Sequence, residues 1–417
     1  MSDKEKELLQ ITEERKTPFY VYDKEVIAEY YNRIMNAFGS GIEIYYSIKS
    51  NSNIQIASLL QKLGAGIEVA SAGELMLAEK SGFNCKNTIF SGPGKTHEEL
   101  REAIKARLLC IMIDSIEELE TIQTISAEYG IVCDVGFRVN PNASSPKFAA
   151  LKMGGEKQFG IDEEIIGNAI ERLPFMPNIN LMGIQIYLGT QILEHEEFLN
   201  YCRTVQECIK RLYEKYSLPF KILDIGGGMG ISYVDLKKEL NLQNISAELK
   251  QIIFEYHELF PDCKVIVESG RFLLAMSGYY ITKILYKKQN KGITYLVTDG
   301  GMNHCCNATY RGKLLRNNFP LSILGKPNAD EIETEIVNIV GPLCTPDDLL
   351  GNKVSLPIAE IGDYVCVHRM GAYGYSFSPL HFLGHDTPEE ILLCKSAYKI
   401  IRNRGKKEEL LLNQIYE

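Results

Sequence analysis

Two rhythms of apolar and polar positions alternate along most of the 417-residue chain. Short apolar runs with strand character fall at 42–48, 66–70, 88–91, 109–114, 132–140, 181–188, 222–225 and 265–268. Between them, stretches such as "NIQIASLLQKLG", "SIEELETIQTISAEYG" and "EEFLNYCRTVQECIKRLYEKY" repeat apolar residues at three- and four-residue spacing, the period of an amphipathic helix. Eight strand–helix units in series are what a parallel (β/α)8 barrel requires. A doubly wound sheet is the alternative, because periodicity does not reveal closure. Beyond about Ala275 the rhythm changes. "GYYITKILYKKQNKGITYLVTDGG", "ETEIVNIVGPLC" and "DYVCVHRMGAYG" read as strands joined by turns, with little helix. The pattern predicts an α/β chain of two domains: a TIM-type barrel over 27–275, and a mostly β domain from 1–26 and 276–417. The extended piece "TPFYVYD" (Thr17 to Asp23) would complete that second sheet.

Candidate chemistry enters at the strand ends. In the first strand, Ile42, Ile44, Tyr46 and Ile48 share one face, and Glu43, Tyr45, Ser47 and Lys49 the other. An ammonium group there reads as part of a solvated face. In a barrel it reads instead as a group at the C-terminal mouth, where barrel enzymes hold their reactive residues. The loop after the seventh strand is "DIGGGMG", with glycine at 226, 227, 228 and 230. Backbone N–H groups without side chains can close on an anion, although a tight strand-to-helix turn needs glycines too. The spacing of the dinucleotide fingerprint fails, because position 231 is isoleucine, and no P-loop consensus occurs. The eighth strand ends in "VESGR", which places Glu268 and Arg271 beside that loop, as a salt bridge or as part of a site. A lysine amine, a phosphate cradle, and a carboxylate with a guanidinium are together what pyridoxal phosphate requires.

Composition narrows the classes without choosing among them. Hydrophobic residues at 45% and charged residues at 24% are ordinary for a globular chain long enough for two cores. A balance of 45 basic against 54 acidic residues, net −9, argues against a general binder of nucleic acid or membrane surfaces. "MSDKEKELLQITEERK" has no apolar centre for a signal peptide, and no run is long and apolar enough to span a bilayer. The 11 cysteines are scattered, with no C-x-x-C pair, so neither a structural zinc site nor a disulfide framework is expected. Reduced thiols in a cytoplasm fit that usage, and Cys305 and Cys306 read as packing.

The anchors "YYSIKSN", "IEVASAGEL", "FSGPGKT", "DIGGGMG", "ESGR", "GPLCTPDD" and "GAYG" stand in this order over nearly the whole chain. In that order they resemble the fold-type III pyridoxal-phosphate decarboxylases of diaminopimelate and ornithine. The resemblance implies that Lys49 is the Schiff-base lysine and that Gly226, Gly227 and Gly228 bind phosphate. It implies that Glu268 pairs with the pyridine nitrogen, and that Arg271, after Gly270, faces the phosphate or the substrate carboxylate. Cys344 of "GPLC" would reach across a homodimer interface to return a proton, and Tyr373 of "GAYG" would close the phosphate site. The alternatives are a buried small hydrophobe for Cys344 and a packed aromatic for Tyr373.

Four departures from the family pattern bear on the substrate. Where diaminopimelate decarboxylases carry arginine-proline before a tyrosine, "DGGMNHCCNATY" has Asn307 and Ala308 ahead of Tyr310. Asparagine cannot make the bidentate pair that an arginine makes with a distal carboxylate. The acidic residue expected after the cysteine is Thr345, so a distal ammonium loses its partner unless Asp347 or Asp348 replaces it. Tyr187 in "GIQIYLGTQ" stands where a histidine usually stacks on the ring. The fourth change, "ESGR" for glutamate-proline-glycine-arginine, is softer. With "KMGGEKQFGID", these features resemble a branch of biosynthetic-cluster decarboxylases: butirosin-type enzymes acting on carrier-bound glutamate, siderophore-pathway enzymes and exosortase-associated relatives. The expected function is therefore decarboxylation of a modified, conjugated or carrier-bound amino acid. The alternatives are meso-diaminopimelate decarboxylation, amino-acid racemisation, and a non-catalytic regulator of decarboxylase shape.

Overall fold

The computed structural model describes residues 2–142, 151–152, 154–218, 220–234, 238–309, 318–327, 332–395 and 397–415. Two compact units divide the chain. One is built from Ala28–Ser232 and Lys237–Leu273, the other from Met1–Ile27 and Leu274–Glu417 with a short piece at Tyr233.

The first unit is a closed barrel. Its strands are Ile42–Ser47, Gly66–Val69, Thr88–Phe90, Cys110–Ile113, Cys133–Asn140, Ile179–Ile186, Ile222–Asp224 and Lys264–Ser269. Each pairs in parallel with the next, and the eighth returns to pair with the first, Val265 opposite Ile42. Closure excludes the doubly wound alternative. The observed strands agree with the apolar runs to within a residue or two, and helices such as Ile116–Tyr129 and His195–Tyr216 fill the stretches between. Side chains alternate across a strand, so every second residue enters the interior. Tyr45, Ile89, Cys110, Met112, Ile222 and Ile266 meet there in one buried cluster. A Cβ at Gly66 would lie 2.5 Å from the Tyr45 ring, so glycine makes the room that tyrosine fills.

The second unit is a mixed sheet. Gly278–Asn290 runs antiparallel to Phe19–Asp23, which pairs in parallel with Glu389–Cys394 on its other side. Ile293–Thr298, Thr334–Val340 and Leu349–Pro357 extend the sheet beyond Gly278–Asn290. Phe19, Val21, Ile281, Cys366, Ile391 and Leu393 form its core with Leu8 and Ile11. Those last two belong to a helix, Asp3–Glu14, which the charged N-terminal sequence did not announce. The signal was there as Ser2 and Glu5, which form a capping box, with Leu8 and Ile11 three residues apart on one face. No helix among the described residues is long and apolar enough to cross a membrane.

Candidate active site

On each barrel strand, or one residue past it at Ser91 and Asp114, a polar side chain stands two residues beyond a layer of apolar residues and glycines: Ser47, Glu68, Ser91, Asp114, Arg138, Gln185, Asp224 and Glu268. All eight are buried. Alternation explains the ring, since 45 leads to 47, 89 to 91, 112 to 114, 222 to 224 and 266 to 268. Burying such groups is costly unless they bond to one another. They do. Gln185 donates through Nε2 to Glu268 Oε1 at 2.8 Å, Asp224 Oδ2 at 3.0 Å and Ser91 Oγ at 3.2 Å. Arg138 lies 3.8 Å from Asp114. The ring stands at the C-terminal ends of the strands, the mouth of the barrel.

Lys49 joins this mouth by a different route from the expected one. The first strand stops at Ser47, and Ile48–Ser50 makes one 3-10 turn, fixed by Asn51 N–H on Ile48 O at 3.0 Å. Lys49 is therefore not the last residue of the strand, and the turn removes it from the two-residue alternation. Its Nζ donates to both Glu68 oxygens, at 2.8 and 2.9 Å. The solvated-face reading fails, since Tyr45 and Ser47 are buried. Lys49 itself keeps 45% of its side chain exposed, so a buried carboxylate holds an amine that a ligand can still reach.

The electrostatics are those of crowded carboxylates. Burial pushes the Glu68 carboxyl up, but the Lys49 charge and hydrogen bonds from Lys49 and Ser47 pull it below its ordinary value. Burial raises Asp224 to about 6 against the opposing pull of its hydrogen bonds. Burial, then the charges of Asp224 and Glu68, raise Glu268 well above the usual carboxylate range. Ionised together, these carboxylates would leave negative charge in excess. A cation brought to the Asp224–Glu268 end would relieve it.

The glycine loop follows the seventh strand. Gly226 and Gly228 adopt φ of 64° and 84°, which residues with a Cβ rarely take. Space demands glycine as well. A Cβ at Gly227 would lie 2.0 Å from Glu268 O, and one at Gly226 2.7 Å from Cδ2 of Tyr187. Gly226 N–H donates to Asp224 Oδ1 at 2.9 Å, and Glu268 N–H to Gly226 O at 2.9 Å. Tyr187 follows the sixth strand directly and is half-buried with its ring against this loop. Gly270 packs on Ser50, where a Cβ would come within 2.7 Å of Oγ, and Arg271 opens the short helix that follows. Lys49, Tyr187, Gly226, Gly227, Gly228, Glu268, Gly270 and Arg271 thus all belong to the barrel unit. A side-chain-free cradle, a reachable amine and a buried carboxylate facing excess negative charge fit pyridoxal phosphate.

Sequence reasoning did not single out Glu68, Gln185, Asp224, Ser91, Asp114 or Arg138. Their signal was available as a polar residue at an inward position near the end of each apolar run.

The remaining candidates lie in the β unit. Asp348 is buried, and its carboxylate accepts from Met302 N–H at 2.6 Å and Leu343 N–H at 2.8 Å. It clamps two loops and is not available to a substrate ammonium, which corrects that expectation. On the loop it fixes, Cys344 and Asp347 are exposed and Thr345 half-exposed, so Cys344 is not a buried hydrophobe. Asn307 is half-buried in the 3-10 turn Cys306–Ala308. His304 is buried beside it, and burial lowers its pKa to about 4, so it stays neutral. Tyr373 is half-buried, with a left-handed φ of 56°. Such strain in a non-glycine residue persists only where surrounding structure holds it. Tyr310 lies outside the described residues. No group of three or more His, Cys, Asp or Glu that could hold a metal occurs among the described residues.

Comparison with known proteins agrees with this geometry. Residues 24–275 match the family described as "Pyridoxal-dependent decarboxylase, pyridoxal binding domain". The L-glutamyl-[BtrI acyl-carrier protein] decarboxylase of Niallia circulans is 38% identical, over 98% of this chain and 96% of that protein. The 2-[(L-alanin-3-ylcarbamoyl)methyl]-2-hydroxybutanedioate decarboxylase of Staphylococcus aureus is 31% identical, over 90% of this chain and 94% of its own. Among solved structures, diaminopimelate decarboxylase from M. jannaschii superposes with a TM-score of 0.88 at 30% identity, covering 98% and 94% of the two chains.

Proposed function

The chain belongs to the pyridoxal-dependent decarboxylases, and from that premise we propose that its substrate is an amino acid with a modified, conjugated or carrier-bound far end. It is a pyridoxal-phosphate-dependent amino-acid decarboxylase; the proposal concerns the substrate and the residues that serve it. One observation carries it. Where the diaminopimelate enzymes hold charged partners for the distal group, this chain has Asn307 and Thr345, with Asp347 the acidic side chain left exposed on the Thr345 loop. Asp348 is committed to backbone N–H groups, and His304 is neutral. An uncompensated buried carboxylate or ammonium costs several kcal/mol, on the order of 3–5. A distal end that is neutral, or that continues into a carrier, avoids that cost. Relatives that act on conjugated amino acids support the same reading.

When bound, pyridoxal phosphate supplies an electron-poor ring that accepts the electron pair left as carbon dioxide departs. The chain's residues do the rest. Lys49 would hold the cofactor through its aldehyde, and Glu68 holds the Lys49 amine when it is not so engaged. Gly226, Gly227 and Gly228 would take the phosphate, Tyr373 would close that site, and Arg271 would face the phosphate or the substrate carboxylate. Glu268 would face the ring nitrogen and favour its protonated form, and Tyr187 would pack on the ring. A proton then returns to the substrate Cα from Lys49 or from Cys344 of a second copy, in a homodimer that builds each site from two chains.

Carbon dioxide release from three substrates tests the proposal: meso-diaminopimelate, free L-glutamate, and an L-glutamyl group thioester-linked to an acyl carrier protein. The carrier-bound amino acid should be used best. A kcat/KM for diaminopimelate at or above ~10⁴ M⁻¹s⁻¹, the ordinary range of an efficient enzyme, would show the distal positions to be misread.

A further inference from the structure

Gln185 serves none of the roles above, yet its amide nitrogen meets three side chains of the mouth. It is 2% exposed on the sixth strand, opposite Arg138 of the fifth and Asp224 of the seventh. Its Nε2 reaches Glu268 Oε1, Asp224 Oδ2 and Ser91 Oγ at 2.8, 3.0 and 3.2 Å. An amide oxygen in that place would face two carboxylates, so the NH₂ end must point there. Asp224 in turn accepts from Gly226 N–H through Oδ1, at 2.9 Å. A carboxylate–amide–carboxylate bridge therefore links the glycine loop to Glu268.

The bridge answers a physical difficulty. Two carboxylates side by side in a buried site do not both ionise unaided. Asp224 and Glu68 crowd Glu268 with negative charge, and Lys49 offsets them only in part. A protonated Glu268 would present its own hydrogen to a pyridine nitrogen and could not hold that nitrogen in the protonated form. Gln185 has two N–H groups, one for each carboxylate.

We propose that Gln185 is a positioning residue for the cofactor: by bridging Asp224 and Glu268 it keeps Glu268 aimed at a protonated ring nitrogen. The inference rests on pyridoxal phosphate being seated in this mouth with Glu268 at its nitrogen. It adds the residue that makes that carboxylate competent.

The test compares two ligands on the full chain stripped of cofactor. One is pyridoxal phosphate; the other is its 1-deaza analogue, in which a C–H replaces the ring nitrogen. Binding is followed by absorbance, and thermal melting checks that each variant is folded. The unaltered chain should prefer pyridoxal phosphate roughly tenfold or more, as a charge-assisted hydrogen bond implies. Gln185→Met should lose most of that preference while binding the analogue as before, and Gln185→His, which keeps an N–H donor, should recover it. Equal weakening of both ligands in Gln185→Met would show mere packing, and no change in either would show no role. Both results overturn the inference alone. Absence of preference in the unaltered chain would instead remove Glu268 from the ring nitrogen, and the inference with it. Should Gln185→Met not fold, Asp224→Asn decides. It leaves one acceptor oxygen where Gln185 and Gly226 use two, so it breaks the bridge and should lower the preference, and an unchanged preference there overturns the idea.

Discussion

In the barrel unit, the residues proposed for the cofactor stand at strand ends and hold one another. Glu68, Gln185, Asp224 and Glu268 are buried and hydrogen-bonded within the ring, and Lys49 is tied to it at 2.8 Å. In the β unit, the residues proposed for the substrate stand on loops. Cys344 and Asp347 are exposed, Thr345 and Asn307 partly so, and a single buried carboxylate, Asp348, fixes the loop that carries the first three. Rigid strand ends suit a cofactor whose geometry is the same for every substrate. Loops held at their base but free at the tip suit a group that differs from one relative to the next. Apart from Cys344 and Tyr373, the proposed cofactor and substrate residues thus fall in different units, and each prediction below presses on that division.

The largest effect should come from the barrel. Lys49→Ala removes the amine proposed to hold the cofactor, and kcat should fall by about 10⁴-fold or more, as for other covalently acting residues. Borohydride reduction of the holoenzyme followed by peptide mapping should place the label on Lys49. Label on another lysine would move the centre of the site away from Glu68.

A smaller effect belongs to the loops. The missing distal partners should cost diaminopimelate ~3 kcal/mol of transition-state stabilisation, about a hundredfold in kcat/KM. The paired exchange Asn307→Arg with Thr345→Asp should restore a large part of that factor, measured as the ratio of kcat/KM for diaminopimelate to that of the unaltered chain. A ratio near one would mean that substrate choice is not written on these loops.

The same division explains what was legible in advance. Barrel strands announce themselves because each must bury alternate residues, so the period survives in sequence, and "DIGGGMG" shows through because a Cβ at Gly227 would strike Glu268 O. The 3-10 turn at Lys49 did not show, because one turn of three residues has no period to read. Gln185 and Asp224 hid inside runs that read simply as apolar strand, since their partners are distant in sequence and meet only when the barrel closes. In the β unit, no spacing rule reveals that Asp348 is spent on Met302 and Leu343 while its neighbour Asp347 is exposed. Those two aspartates look alike until the loops are folded.

Acid should separate the units as well. His304 has its pKa lowered to about 4 by burial, from an ordinary 6.5. The unfolded chain therefore binds the proton first, and stability is lost as pH falls from 6.5 towards 4. By pH 5 that loss is about 2 kcal/mol. Asp224 has the opposite sign: raised from 3.8 to about 6, it binds its proton first in the folded barrel. Falling pH from 6 towards 3.8 thus favours the barrel's folded form. Hydrogen-exchange protection, corrected for intrinsic rates, should drop between pH 7 and pH 5 in Phe19–Asp23 and Gly278–Asn290. Ile222–Asp224 and Lys264–Ser269 should hold theirs. Equal loss in both sets would mean that the units do not titrate independently.

The smallest effect tests whether the two kinds of residue must come from different chains. If each site takes Lys49 from one copy and Cys344 from another, Lys49→Ala and Cys344→Ala homodimers are both impaired at every site. In a hybrid of the two, one site combines both lesions and the other has neither, because a two-fold dimer exchanges the same surfaces in both directions. Random mixing makes half of the dimers hybrids, each with one intact site of two, so activity should return to about a quarter of the unaltered level. Hybrids purified on two different tags should reach about half. Mixing must pass through dissociation, so recovery should follow the rate of subunit exchange and disappear when the chains are cross-linked beforehand. Verified hybrids without recovery would place Cys344 and Lys49 in the same chain's site or remove Cys344 from the chemistry. Recovery, at whatever rate exchange allows, would tie the exposed cysteine of the β unit to the buried ring of a neighbouring barrel.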